Sequence, residues 1–137
     1  MYTNFEFSKV QQVAEEQALL DSGASENLID EETWRSLGIG SFKLPKPITI
    51  YNVDGTENKH GKITRYCWLK VRRGDKEHRM RFFLTGIEKD HFILGYPFLF
   101  AFNPQIDWKK GHILGPATKI STIGFKQAHR LLRKIQL

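Results

Sequence analysis

The sequence predicts a small, mainly β domain, closed or partly closed, with one or two short helices. Apolar residues alternate with polar ones in the middle of the chain, as at Ile48 and Ile50 and again at Met80, Phe82 and Leu84. Alternation with a period of two places the apolar side chains on one face of a strand. Turn residues separate these segments and helical spacing is confined to short stretches, so we expect hairpins that curl into a small barrel.

Length and composition are those of one globular domain. The chain has 137 residues, of which 40% are hydrophobic and 26% charged, and these values exclude a disordered or fibrous protein. No apolar run approaches the roughly 18 residues of a membrane span. Residues 1–4 lack the basic and apolar regions of a secretory signal. We therefore expect a cytoplasmic protein that does not contact a membrane.

The cysteine and histidine content limits the chemistry. The single cysteine, Cys67, excludes an internal disulfide and a cysteine-based zinc cluster, because both need a second thiol. The five histidines lack a metal-ligand spacing such as His-x-x-x-His. We expect neither a metal ion nor an organic cofactor, and we interpret Cys67 as a buried strand residue and not as a nucleophile.

Positive charge is concentrated near the C-terminus. The chain has 21 Lys and Arg against 15 Asp and Glu, which gives a net charge of +6. From residue 109 onward there is no acid, and the cations are Lys109, Lys110, Lys119, Lys126, Arg130, Arg133 and Lys134. This distribution assigns the basic character to one segment. We predict a folded domain at residues 1–115 and a basic extension or linker at residues 116–137.

The extension has apolar residues at helical spacing, and two interpretations of it stay open. The apolar residues are Phe125, Ala128, Leu132 and Ile135. One interpretation is an amphipathic helix that packs on the domain or links it to a following segment. The other is a weak contact with RNA, which would be salt-sensitive and would disappear when residues 116–137 are removed.

The beginning of the chain predicts two strands followed by a loop. The strands are expected at residues 4–10 and 17–20, separated by the polar stretch 11–16. Turn residues at 21–25 then interrupt an apolar run that resumes at Leu28. This pattern places a loop between two buried strands.

A short helix and an extended segment are predicted next. Asp30 is a candidate N-cap, acidic residues follow it in the first turn, and Gly38 stands at the expected end of the helix. Pro45 and Pro47 exclude a helix after this point and favour extended chain.

Hairpins are predicted through the centre of the chain. The polar interval 52–62 contains an Asp-Gly turn signal and is expected to project as an exposed β-loop. A turn at residues 73–75 joins the next two strands, and the apolar residues 92–94 form a further strand. Pro97 in a first turn predicts a short buried helix, and residues 106–114 predict a last hairpin.

Asp21 is the strongest candidate for a functional acid. It lies in a tight loop between apolar strands, where a carboxylate is costly to place. Gly23 permits close approach of another backbone, and the Ser22 hydroxyl can donate to a neighbouring carbonyl. Taken alone, Asp-Ser-Gly is also a common turn tripeptide, so the turn interpretation stands beside the functional one.

Two segments resemble the signatures of retroviral aspartic proteases. Ala-Leu-Leu-Asp-Ser-Gly-Ala-Ser at residues 18–25 is similar to the active-site motif of that family. Phe-Ile-Leu-Gly-Tyr-Pro-Phe-Leu at residues 92–99 is similar to its apolar-apolar-Gly segment and the helix that follows. A Gly-containing hairpin lies between them, where the family has its flap. With the segment 102–111 after them, these parts look most like the protease region of a gypsy-type long-terminal-repeat retrotransposon polyprotein, over about residues 5–114.

The resemblance implies a fold and a set of site residues. The implied fold is the retropepsin-like closed β-barrel of the acid proteases, all-β with one or two short helices and homodimeric. The glycine loop packs beside the catalytic loop, and the flap covers the substrate. The implied residues are Asp21 for catalysis, Ser22, Gly23, Ala24 and Ser25 in the active-site loop, Val53, Asp54, Gly55 and Thr56 in the flap, and Ile93, Leu94 and Gly95 in the loop beside the catalytic site.

The activity implied by the resemblance is that of an aspartic endopeptidase acting on a retroelement polyprotein. Its chemistry uses two carboxylates, one as a general base on water and one as a general acid, close enough to share a proton. This sequence has one Asp-[Ser/Thr]-Gly, at residues 21–23, since Asp54-Gly55-Thr56 has the wrong order. We therefore expect two chains to meet at a twofold axis with one Asp21 each. The alternative is a catalytically silent dimer that keeps the protease fold for binding or assembly.

Overall fold

The computed structural model describes residues 2–9, 12–51, 55–87 and 89–123. Within these residues the chain forms ten strands and two short helices. In chain order they are β1 Tyr2–Lys9, β2 Gln12–Leu20, β3 Asn27–Asp30, α1 Glu31–Leu37, β4 Phe42–Tyr51, β5 Glu57–Arg73, β6 Lys76–Thr85, β7 Phe92–Leu94, α2 Tyr96–Phe102, β8 Ile106–Asp107, β9 His112–Ile113 and β10 Thr118–Thr122. The predicted mainly β domain with one or two short helices is confirmed.

Eight strands form one curled sheet in the order β10-β1-β2-β7-β3-β6-β5-β4. The strand β10 pairs in parallel with β1, where Phe5 lies opposite Thr118, and antiparallel with β5, where Val71 lies opposite Ile120. Because β10 pairs with both, the sheet closes on itself around one core. The strands β8 and β9 form a separate hairpin, as predicted for residues 106–114.

The prediction of a polar break at residues 11–16 is wrong. Residues 12–16 belong to β2, which pairs with β1 along its length, from Tyr2 opposite Leu19 to Lys9 opposite Gln12. An antiparallel ladder satisfies the backbone N–H and C=O groups that face the partner strand, whatever side chains the strands carry. Polar residues therefore do not end a strand that is paired with its neighbour along its length.

The helix α1 begins and ends as the sequence predicts. Asp30 caps α1 by accepting a hydrogen bond from the Glu32 backbone N–H at its Oδ2 (3.2 Å), and Gly38 ends the helix with a positive φ of 66°. The other carboxylate oxygen of Asp30 accepts from the Ile87 backbone N–H (2.9 Å), which ties the cap to the end of β6. The helix α2 begins as predicted but is buried on one side only, through Phe98 and Phe102, because Tyr96 and Phe100 are exposed. Pro97 lies in the first turn of α2, where its missing N–H costs no hydrogen bond.

Most of the apolar core lies inside the closed sheet. Phe82 is fully buried in this main cluster, whereas its neighbour Phe83 belongs to a smaller cluster with Leu44 and Ile63, because successive strand residues face opposite sides. The buried residues of the main cluster are Ala18, Leu20, Ile29, Leu37, Cys67, Leu69, Val71, Met80, Phe82, Leu84, Phe92, Leu94, Phe98, Phe102 and Ile120. Full burial of a Leu or Phe side chain contributes about 1.5–3 kcal/mol.

The hairpin of β4 and β5 carries the segment that resembles a flap. Its pairing shifts register between Lys43 and Ile48, across the two prolines that cannot donate to the ladder. Two of the four predicted flap residues, Val53 and Asp54, lie outside the described residues. Gly55 and Thr56 are exposed, and β5 begins at Glu57, so the predicted loop 52–62 is in part paired strand.

The main sheet includes residues on the C-terminal side of the predicted domain boundary at 115. The strand β10 follows that boundary, and Arg73 at the end of β5 donates hydrogen bonds to the carbonyls of Leu114 and Pro116, both at 3.0 Å. The boundary itself stays a prediction. The amphipathic pattern at residues 125–135 lies outside the described residues.

Two further findings concern the described part of the chain. It contains no helix that is long and apolar enough to cross a membrane. It also contains no cluster of three or more His, Cys, Asp or Glu side chains that could hold a metal ion.

Candidate active site

Asp21 lies where two neighbouring parallel strands end. In the pairing of β2 with β7, Leu20 lies opposite Leu94. Asp21 is the first residue after β2, and its backbone N–H donates to the Leu94 carbonyl (2.9 Å). The position of the Asp21 backbone is therefore determined by β-sheet pairing and not by a free loop.

The loop after β2 orients the Asp21 carboxylate. The backbone N–H of Gly23 donates to Asp21 Oδ1 (2.9 Å), and that of Ala24 donates to the Asp21 carbonyl (3.1 Å). A Cβ atom at Gly23 would lie 3.2 Å from the same carboxylate oxygen, which is tighter than ordinary contact. Asp21, Ser22 and Gly23 are exposed, so one face of this oriented carboxylate is open to a substrate or a second chain.

The loop after β7 packs against the loop of residues 21–25 through backbone contacts. The Tyr96 backbone N–H donates to the Ala24 carbonyl (2.9 Å). A Cβ atom at Gly95 would lie 2.4 Å from the Glu26 carbonyl oxygen and 2.7 Å from that of Ala24. Only glycine fits this contact, because backbone atoms cannot move aside as a flexible side chain can.

Asn27 is a site-supporting residue that the sequence analysis missed. Its side chain is fully buried at the start of β3, and its Oδ1 accepts a hydrogen bond from the Gly95 backbone N–H (2.9 Å). This amide connects β3, which follows the loop of residues 21–25, with the loop at Gly95. The signal in the sequence was a polar residue next to the apolar run that begins at Leu28, in a strand predicted to be buried.

The structure brings together two of the three predicted parts of the site. Leu94 and Gly95 are buried and Ile93 is half-buried beside the loop of residues 21–25, in which Ser25 is exposed. The hydrogen bonds that join these two loops do not involve the flap residues Gly55 and Thr56. How the flap closes over a substrate stays a prediction.

We expect Cys67 to be unreactive in the folded protein. The side chain is buried, and desolvation raises the pKa of the thiol from its ordinary 9.0 to about 12. Because only the thiolate reacts, iodoacetamide at about pH 8 should label Cys67 after unfolding in guanidinium but not before. The folded pKa exceeds the unfolded one, so the contribution of this group to stability is complete below pH 9 and falls as the pH rises towards 12. If iodoacetamide labelled the folded protein as fast as the unfolded protein, this expectation would be wrong.

The comparison with protein families agrees with this geometry. A family model described as the PEG10/RTL1 protease domain matches residues 17–122, a span that contains both loops and most of the closed sheet. A search of curated proteins finds no match. Since the family model covers most of the chain, this protein belongs to the PEG10/RTL1 protease domain family, whose members are retropepsin-like domains derived from gypsy retrotransposons.

Proposed function

We propose that this domain is an aspartic endopeptidase that works as a homodimer, with Asp21 of each subunit contributing one half of a catalytic pair. The observation that supports this most strongly is the Asp21 carboxylate, oriented by the Gly23 N–H at 2.9 Å and open to solvent on its other side. One carboxylate acts as a general base on water while the other protonates the peptide carbonyl. Two carboxylates that lie close enough to act on one peptide bond share a single proton, because their like charges prevent both from ionising.

In this proposal a second copy of the chain supplies the other half of the catalytic pair. The sequence contains one Asp-Ser-Gly, and a catalytic pair needs two. A twofold axis through the exposed residues 21–23 would place two Asp21 side chains face to face. In that arrangement the Ser22 hydroxyl reaches across the interface and ties the two loops together.

The substrate we propose is an extended, apolar segment of a retroelement polyprotein. An extended peptide can bind as an added strand, with main-chain hydrogen bonds for affinity and alternate side chains in pockets. Candidates to line such pockets are the half-buried side chains of Leu28 and Ile50, which pack against the smaller cluster, and of Ile93, which lies opposite Leu28 in the sheet. Gly23 presents backbone to the peptide, and the segment 53–56 closes over it as a flap.

Cleavage of a flexible, apolar-rich protein tests this proposal. We expect cleavage between about pH 4 and pH 7, blocked by an inhibitor that mimics the tetrahedral transition state of aspartic proteases. We also expect the activity per chain to fall on dilution in step with dimer dissociation, measured by sedimentation. A monomer with full activity would contradict the proposal that two subunits share one catalytic pair. A dimer that binds the inhibitor but cleaves nothing would point to the silent binding module.

A further inference from the structure

Over residues 68–72 of β5 and 77–81 of β6, these two strands have one apolar and one polar face. Their inward side chains, such as Leu69 and Met80, are buried in the main core. On the opposite side, the register places Trp68 beside Arg81 and Lys70 beside Arg79. We call the following residues the β5–β6 outer face: Tyr66, Trp68, Lys70, Arg72, Glu77, Arg79 and Arg81.

This face collects cations that the sequence spreads over two strands. Two of its four cations have an acidic partner, since Lys70 lies 3.9 Å from Glu77 and Arg81 lies 3.9 Å from Glu26. Both pairs are partly exposed, so each is weak and exchanges readily with another anion. Arg79 makes no ion pair with any described residue.

Two cations on this face lie opposite each other, which lowers the stability of the sheet when no anion is bound. Lys70 and Arg79 lie opposite each other on adjacent strands, and like charges in such pairs are destabilising. Lys119 of the next strand, β10, lies opposite Arg72 on one side and opposite Glu6 of β1 on the other. A polyanion bound along this face would offset the repulsion that the folded chain otherwise bears.

Aromatic rings lie at one end of the basic row. Trp68 is 39% exposed, and its ring meets Tyr66 edge to face at 6.1 Å. The Arg81 guanidinium stacks over the rings of Tyr66 (5.5 Å) and Phe83 (5.3 Å). These two cation–π contacts hold the guanidinium beside the aromatic rings at this end of the row.

We propose that the β5–β6 outer face binds single-stranded nucleic acid. Lysine and arginine side chains along the strands contact phosphates, and unpaired bases stack on Trp68 and on the plane of Arg81. A basic track with exposed aromatic side chains is the combination that single strands require, because every base has a face that can stack. This activity is independent of Asp21 and of the extension after residue 123.

Binding of a fluorescein-labelled oligouridylate of about 12 nucleotides, followed by anisotropy, tests the proposal. The test variant replaces Lys70, Arg72 and Arg79 with Ala in the full chain. The matched control replaces three other exposed cations, Lys46, Lys109 and Lys110, with Ala and so changes the net charge equally. We expect the test variant to bind about 10-fold or more weakly with a shallower salt dependence, and the control to change about 2-fold or less.

A separate Trp68→Ala variant distinguishes nucleic acid from other anions. We expect it to bind the oligonucleotide about 10-fold more weakly, since stacking is lost while the charge is unchanged. If the test and control triple variants lose oligonucleotide affinity equally, the proposal is overturned. Binding would then depend on the net charge of the protein or on the extension. Unchanged binding by Trp68→Ala, together with equal competition by polyglutamate, would overturn it in favour of an acidic protein partner.

A measurement on the unaltered protein covers the case in which the triple variant does not fold. Ultraviolet crosslinking of an oligonucleotide that contains 5-iodouridine should attach it to the peptide carrying Tyr66 and Trp68, identified by mass spectrometry. Asp21→Asn should crosslink to the same extent, because the face does not use the catalytic residue. Crosslinks confined to residues after 123 would contradict the proposal.

Discussion

Replacing Asp21 with Asn is expected to lower the cleavage rate about 100-fold or more while the protein still folds and dimerises. The amide oxygen of Asn can still accept the Gly23 N–H that now donates to Asp21 Oδ1 at 2.9 Å, so the loop keeps its conformation. The amide cannot take a proton from water or give one to a peptide. The rate is measured on the same apolar-rich substrate, and folding is followed by circular dichroism.

Asp107→Asn is the matched control for this change. Asp107 Oδ1 also accepts backbone N–H groups, from Lys109 and Lys110 at 3.1 Å each, in a turn between β8 and β9. The control therefore makes the same chemical replacement in the same kind of local hydrogen bonding, and we expect its activity to stay near that of the wild type. An Asp21→Asn variant that cleaves as fast as Asp107→Asn would exclude Asp21 as the catalytic acid.

Replacing Gly95 with Ala is expected to destabilise the domain by about 3 kcal/mol and to abolish cleavage. The new methyl group would meet the carbonyl oxygens of Glu26 and Ala24 at 2.4 Å and 2.7 Å. Relief of this clash requires separation of the two loops, which would weaken the bond between the Gly95 N–H and the Asn27 side chain. Urea unfolding measures the stability, and the substrate assay measures the activity.

Gly38→Ala separates this clash from the general effect of losing a glycine. Gly38 has a positive φ of 66° and open space around its would-be Cβ, so alanine there meets backbone strain without a clash. We expect a cost of about 1 kcal/mol and full activity of the folded fraction. A Gly95→Ala variant as stable and active as Gly38→Ala would show that the two loops are not packed as described.

The local features of the fold could be predicted because they depend on neighbouring residues. Asp30 and Gly38 mark the ends of α1 through side-chain capping and backbone freedom, and both act within one turn. The turn between β5 and β6 falls at Gly74, where φ is 61°, as the turn residues indicate. The loop at Asp21 was predicted correctly because turn residues interrupt an apolar run there.

Features that depend on distant residues could not be predicted in this way. The strand β2 extends through polar residues because β1 pairs with it, and hydrophobic pattern alone does not report pairing. Asn27 contacts Gly95, which lies 68 residues later in the chain. The cations of the β5–β6 outer face are adjacent in space through the register of Lys70 with Arg79, whereas the charge count in the sequence pointed only to the C-terminal segment.

Mixing wild-type protein with Asp21→Asn tests whether two chains share one catalytic pair. Equal amounts of the two are combined under conditions that allow subunit exchange, and the cleavage rate is compared with that of the same amount of wild type alone. If each active site needs an Asp21 from both subunits, mixed dimers are inactive and the rate falls to about half. An unchanged rate after complete exchange would show that one Asp21 suffices and would contradict a catalytic pair shared by two subunits.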